Sequence, residues 1–167
     1  MAFDAFIKID GIPGESTDDA HKDWVEVKSF SHKIEQPASA TASSVGGATA
    51  ERVNLAPFEI VHYVDKASPK LYDAACTGKH IKEIKFELCR AGGDKVKYFE
   101  VTLEQAIVSR VEPHGASTAD KDGFPLETVA FSYGKIKWTY TQQKRADGAG
   151  GGNVIAGWDL TANKVAA

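Results

Sequence analysis

Apolar and polar residues alternate along most of the chain, the period imposed by a half-buried strand whose successive side chains point to opposite faces. The first such segment runs from Ala2 to Ile9, with Phe3, Ala5, Ile7 and Ile9 on one side, and stops at the turn-rich cluster Asp10-Gly11-Ile12-Pro13-Gly14. A second begins at Trp24. Its apolar phase shifts from Val25 and Val27 to Phe30 and Ile34, which predicts a bulge or bend near Lys28 and Ser29. Phe58 to Val64 reads as a third strand. Ile81 to Cys89 sets Ile84, Phe86 and Leu88 against Lys85, Glu87 and Cys89, and Ala91-Gly92-Gly93-Asp94 turns it into a hairpin with Lys95 to Val101. Leu103 to Val111 reads equally as a separate strand or as the continuation of that one. The last strand, Leu126 to Thr141, carries Val129, Phe131 and Tyr133 on one face before Gly134, and Ile136, Trp138 and Tyr140 after it. A phase flip at a glycine is the mark of a bulge or a sharp barrel corner. The predicted fold class is mainly β, a small closed or nearly closed barrel.

Three segments depart from the alternation. Pro69 to Thr77 predicts the one short α-helix, with Ser68 placed to cap it, Pro69 in its first turn, Gly78 to close it, and Leu71, Ala74 and Ala75 on its buried face. Pro37 to Thr49 is small and uncharged, with no pattern that could bury a face. A long extended loop of this kind is expected to serve a function or to be ordered by a partner. From about residue 142 the chain turns glycine-rich, at Gly148 and at Gly150 to Gly152, and a flexible C-terminal tail is predicted. Trp158 and Leu160 within it need a docking place, on their own barrel or on a neighbour.

With 167 residues the chain fits one domain, residues 1–167, large enough to bury about 70% of its extended-chain surface. A hydrophobic share of 43%, a charged share of 26% and a formal net charge of -3 give no sign of disorder or of a nucleic-acid-binding surface. Cys76 and Cys89 are too few for a disulfide framework and lack the spacing of a zinc site. The N-terminus has neither a basic start nor an apolar run, so no cleaved Sec-type signal is expected, and no apolar stretch is long enough for a membrane helix.

Candidate chemistry is thin. The histidines at 21, 32, 62, 80 and 114 are dispersed, without HxH or HExxH spacing. No GxSxG elbow is present. The glycines from 148 to 152 fail the dinucleotide fingerprint, and Gly78-Lys79-His80 fails the phosphate loop. Asp120 to Gly123 reads as a turn, since the distal acid of a calcium loop would fall on Val129. No catalytic residue, metal or cofactor is assigned. Lys85 interleaves with Glu83 and Glu87, a pattern that cross-strand charge pairing and solubility would explain.

Four stretches in order carry a resemblance: Phe6-Ile-Lys-Ile-Asp-Gly-Ile-Pro-Gly-Glu-Ser16, Val64-Asp-Lys-Ala-Ser-Pro-Lys-Leu71, Tyr133-Gly-Lys-Ile-Lys-Trp-Thr-Tyr140 and Gly157-Trp-Asp-Leu160. Together they resemble the Hcp (haemolysin-coregulated protein) family, the tube subunit of bacterial type VI secretion systems, over almost the whole chain. The resemblance implies a small β-barrel with an attached helix, six copies forming a ring, and rings stacking into a tube that a contractile sheath expels. It implies no enzymatic residues. Expected partners are other copies of the chain, the sheath and spike proteins, and effectors carried in the lumen, with neither nucleic acid nor membrane insertion. The chain would sit in the cytoplasm before firing and then be secreted without a cleaved signal.

In the family an extended loop reaches a neighbouring subunit, and Pro37 to Thr49 matches it by position and composition. The suspected subunit contacts are therefore Pro37, Ala38, Ser39, Ala40, Thr41, Ser43, Ser44, Val45, Gly46 and Gly47 in the loop, with Trp158 and Leu160 in the tail. Lumenal residues stay unassigned. A monomeric barrel binding a carbohydrate or lipid, and a hydrolase, are the competing readings.

Overall fold

The N-terminal alternation becomes strand β1 (Phe3–Ile9), which turns Ala5, Ile7 and Ile9 into the interior and leaves Phe3 at the rim. The structure is a computed structural model describing residues 3–37, 52–92, 95–115, 123–143 and 150–166. After β1 come β2 (Val25–Val27), β3 (Ser29–Ser31), β4 (Ile34–Glu35), β5 (Asn54–Leu55) and β6 (Phe58–Tyr63). Helix α1 (Ser68–Thr77) follows, then β7 (Ile81–Arg90), β8 (Lys97–His114), β9 (Leu126–Ser132), β10 (Lys135–Gln143), β11 (Gly150–Asp159) and β12 (Lys164–Val165).

Bends decide the architecture. Lys28 interrupts the strand begun at Val25, so that β2 pairs with β1 while β3 pairs with β6. This is the predicted break. The segment from Leu103 onward continues β8, whose Gln105 takes the left-handed conformation (φ 53°). Before that residue β8 pairs with β7 and β10; beyond it, apart from one last β7 partner at Ala106, with β9. The strand expected from Leu126 to Thr141 bends on the same rung and splits at Gly134 into β9 and β10, in different sheets. The Gly134 N–H donates to Glu104 O, and a Cβ there would lie 2.6 Å from Gln105 Oε1, so close passage of two bent strands requires the glycine.

The path β1, β7, β8, β9, β6, then β3 and β2 in one bent strand, makes a nearly closed barrel. Its interior is filled. Phe58, Phe86 and Phe131 are almost wholly buried beside Ile7, Ile60, Ile84 and Leu103, with the Phe58 and Phe86 rings 5.1 Å apart. A layer packed to this density stabilises by about 1.5–3 kcal/mol per large apolar side chain.

Helix α1 lies against β8, with Leu71 and Ala74 buried and Gly78 closing it in the left-handed conformation (φ 63°), as expected. The expected cap is corrected. The N-cap is Ala67, and Ser68 makes no capping bond to the helix. Its hydroxyl instead accepts from Asp65 N–H and donates to the buried Glu127 Oε1 at 2.7 Å. Tyr72 donates to Glu127 Oε2 at 2.6 Å, so one carboxylate from β9 pins two residues of the helix. A buried acceptor satisfied this fully is worth more to the fold than an exposed cap.

The tail is also corrected. Gly150 to Asp159, expected to be flexible, forms a strand that pairs antiparallel with β10 from Lys135↔Asp159 to Gln143↔Gly150. Glycine's low strand propensity is overridden by a ladder whose C-terminal half brings Trp158 against the core.

Candidate assembly surface

Beyond β8 the larger sheet does not stop: β10, β11 and the short β12 extend it past the barrel as a wing. β12 covers only the Trp158 and Asp159 end of β11, through Trp158↔Val165 and Asp159↔Lys164, and Ala166 N–H adds a bond to Gly157 O. From Gly150 to Ala156, no described strand pairs with the outer edge of β11. Its side chains there are as uncovered as its backbone. Val154 is 69% exposed and Ile155 56%, on opposite faces, and Tyr140, the cross-strand neighbour of Val154, is 46% exposed. Free edges are usually blunted by charge, proline or brevity. This one is long and aliphatic.

The second element is the root of the extended loop. β4 and β5 pair through Ile34↔Leu55 and Glu35↔Asn54, and Ala56 N–H donates to Lys33 O, so the chain leaves and returns at one point. Pro37 lies exposed at that exit. Ala38, Ser39, Ala40, Thr41, Ser43, Ser44, Val45, Gly46 and Gly47 lie outside the described residues. The root is fastened inward: Tyr133 donates to Ala56 O at 2.9 Å, and its oxygen accepts from His32 Nε2–H at 2.6 Å. Desolvation is the main influence on the His32 imidazole and holds its pKa below the usual value.

The loop root and the tail, far apart in sequence, meet. Arg52 donates to Leu160 O at 2.9 Å. Ile34, Val53, Leu55, Trp138 and Trp158 line a hollow of about 420 Å³ between them. Trp158 and Leu160 are half-buried against the core of their own chain, one of the two docking places the sequence allowed. Ile34 stays 52% exposed at the mouth. The hollow reaches Gly157 and Trp158, which follow directly in β11 on the stretch whose outer edge no described strand covers.

Two polar clusters lie elsewhere. His21, dismissed on spacing, is brought within 2.8 Å of Glu87 Oε2 through Nε2 and 2.7 Å of Asp18 Oδ2 through Nδ1, with Cys89 Sγ 4.0 Å from Nε2. These are three residue types that ligate metals, gathered from distant positions. Yet Lys97 holds Glu87 at 3.1 Å, and burial pushes the Cys89 thiol up to about 11, so the cluster is fitted as an ion-pair network with a protonated cysteine. Phe6 stacks on the His21 ring at 4.2 Å, and the segment carrying His21 covers that part of the sheet. The other cluster puts His62 Nε2 2.7 Å from Glu127 Oε1, off the ring nitrogen's bonding direction, beneath α1. Both clusters are buried, with His21, Glu87, Cys89, His62 and Glu127 each less than a tenth exposed.

Comparison with known proteins follows the same line. Residues 6–140 match the family model described as type VI secretion system effector, Hcp. Protein hcp1 of Pseudomonas aeruginosa is 35% identical over 165 residues, covering 98% of both chains. The major exported protein of the same organism is 30% identical over 132 residues, 76% of this chain and 74% of its own. A solved structure described as a type six secretion system protein superposes with a TM-score of 0.91 at 32% identity, covering 99% of this chain and all of that one.

Proposed function

This chain belongs to the Hcp family of type VI secretion proteins, and from that premise we propose that its copies join head to tail into a six-membered ring, that rings stack into a secreted tube, and that the lumen carries effectors. The observation that carries the reading is the uncovered edge of β11 from Gly150 to Ala156 beside the apolar hollow at Trp158. An open edge offers main-chain hydrogen bonds to a second strand, and the aliphatic side chains flanking it fix register. Contact between two different surfaces of one molecule propagates and closes into a ring when the rotation allows; a second contact, between the faces of successive rings, would stack them into a tube. Pro37 leaves the described chain beside the hollow, and in this reading the Pro37 to Thr49 loop goes on to reach the adjoining copy, which would join the suspected loop and tail contacts in one interface.

A non-catalytic role fits the same molecule. The barrel interior is occupied by Phe58, Phe86, Phe131 and Ile60, leaving no room inside it for the small ligand of a monomeric binding barrel. No helix among the described residues is long and apolar enough to cross a membrane. Export by the secretion machinery, with sheath and spike as partners, completes the reading.

Light scattering on the purified chain tests it, with negative-stain imaging of the same sample. A species near six chain masses with a central opening is expected. A strictly monomeric protein at every concentration, with no rings on the grid, overturns it.

A further inference from the structure

The polar face of the larger sheet carries charge in a pattern that does not serve the fold. Across β1 and β7, Lys8 is directly opposite Lys85. Across β7 and β8, Glu87 is opposite Glu100 and Glu83 opposite Glu104. The expectation that cross-strand charge pairing explains Lys85, Glu83 and Glu87 holds for Glu87, which pairs with Lys97 of β8; between residues directly opposite, register puts like against like. Direct like-charge opposition destabilises a sheet. Like charges therefore meet across β1, β7 and β8 and the signs alternate along β7, while on β10 the Glu83 and Glu104 row ends in Lys135.

The acidic rows are partly neutralised from within. Lys97 holds Glu87 at 3.1 Å and Glu100 at 2.5 Å, and Lys135 lies 3.9 Å from Glu104. The basic row is less so, although, against the desolvation of Glu100 and together with Lys97, Lys85 lies near enough to help hold that carboxyl below the usual carboxylate range. The row runs Lys8, Lys85, Thr102, Lys137 in consecutive register, and among the described residues none of its three ammonium groups makes an ion pair. Lys8 and Lys137 are exposed and Lys85 half-exposed. At its Lys137 end the row opens into a polar hollow of about 350 Å³ that carries Lys135 and Lys164 together with Glu104 and Asp159.

We infer that this lysine row is a docking site for a partner helix that presents a single stripe of carboxylates and lies across the strands. Spacing supports a helix. With strands about 4.8 Å apart, Lys8, Lys85 and Lys137 fall at roughly 0, 5 and 14 Å along the row. At about 1.5 Å rise per residue, acids at i, i+4 and i+11 fall near 0, 6 and 16 Å and share one helix face. Width argues against nucleic acid. Carboxylate rows flank the lysines about 7 Å to either side, where phosphate rows separated by grooves of about 6–12 Å would fall. A one-row acidic stripe fits between them, and basic residues on its Glu83 side would meet Glu83 and Glu104, while Glu87 on the other side is buried and already paired. The site stands whether or not the chain forms rings.

The test uses the full chain and a fluorescein-labelled, end-capped helical peptide of roughly 15 residues with Glu at i, i+4 and i+11. Its control has the same composition with the acids spread around the helix. Fluorescence anisotropy at low ionic strength should show the striped peptide binding more tightly than its control and weakening as salt is raised. Lys8→Glu/Lys85→Glu should weaken it about tenfold or more while leaving the circular dichroism unchanged. Lys85→Thr, which removes the like-charge opposition, should keep or raise Tm. Equal binding of both peptides, retention by the double variant, equal competition by duplex DNA, or a fall in Tm for Lys85→Thr would each overturn the inference.

Discussion

The barrel and the wing are built from the same kind of strand, yet they solve opposite problems. In the barrel every strand has a neighbour on both sides or continues around a corner, and the apolar face of each is turned onto a filled interior. In the wing, β11 is paired on one side only over most of its length, and Tyr140, Val154 and Ile155 stand in solvent. A closed ladder satisfies itself. The open one is stable because it is grafted onto β8, and between Gly150 and Ala156 its outer edge carries no strand among the described residues.

Substitutions can set the two regions against each other. Phe86→Ala, at the centre of the barrel, should cost about 3–5 kcal/mol and lower the denaturant midpoint of the isolated chain. Urea unfolding followed by tryptophan fluorescence measures it. Gly134→Ala should cost less, about 1–3 kcal/mol, because Gln105 and Thr161 must yield to the new methyl where barrel passes into wing; the same titration gives the value. Val154→Lys/Ile155→Lys should leave that midpoint within about 0.5 kcal/mol yet remove the larger species in light scattering. A midpoint that collapsed with it would make these wing residues part of the monomer's own stability.

Acid gives a smaller effect, centred on the loop root. The pKa of His32 lies below its ordinary 6.5 in the fold, so the folded state binds fewer protons there than the unfolded chain. The stability this contributes is present above about pH 6.5 and is lost as pH falls through the folded pKa. Tm should therefore decline between neutral pH and mild acid, and His32→Gln should flatten that part of the profile; an unchanged slope would remove His32 as its source. Smallest of all is a chemical contrast. Cys76 is exposed and Cys89 buried with its thiol pushed up to about 11, so a thiol reagent near pH 8 should modify Cys76 alone until denaturant is added.

Legibility followed the same division. Barrel strands announce themselves by local alternation, as at Ile84, Phe86 and Leu88, and the corner at Gly134 shows as a phase flip within a few residues. The wing does not. Gly150 to Gly152 reads as linker, and only pairing with β10 makes it a strand, a fact that resides in Thr141↔Asn153 and its neighbours, not in the segment itself. Ser68 misled for a related reason. Its position before Pro69 is that of a cap, but Glu127, distant in sequence, competes for its hydroxyl. The lysine row was hidden too, since alternating signs along one strand say nothing about which sign lies opposite. Loop and tail were picked out separately by composition, and nothing in the sequence joined them before Arg52 met Leu160.

The one-sided ladder of β11 also works as a clock. Between Gly150 and Ala156 the amides facing β10 are held in hydrogen bonds, while those facing outward have no strand to bond with among the described residues. In a lone chain, hydrogen exchange there should alternate between slow and fast from one residue to the next. When a second strand docks, the fast set slows and the alternation disappears. The time for which that protection lasts is then the lifetime of the contact between copies, read from a few amides without any label on the partner.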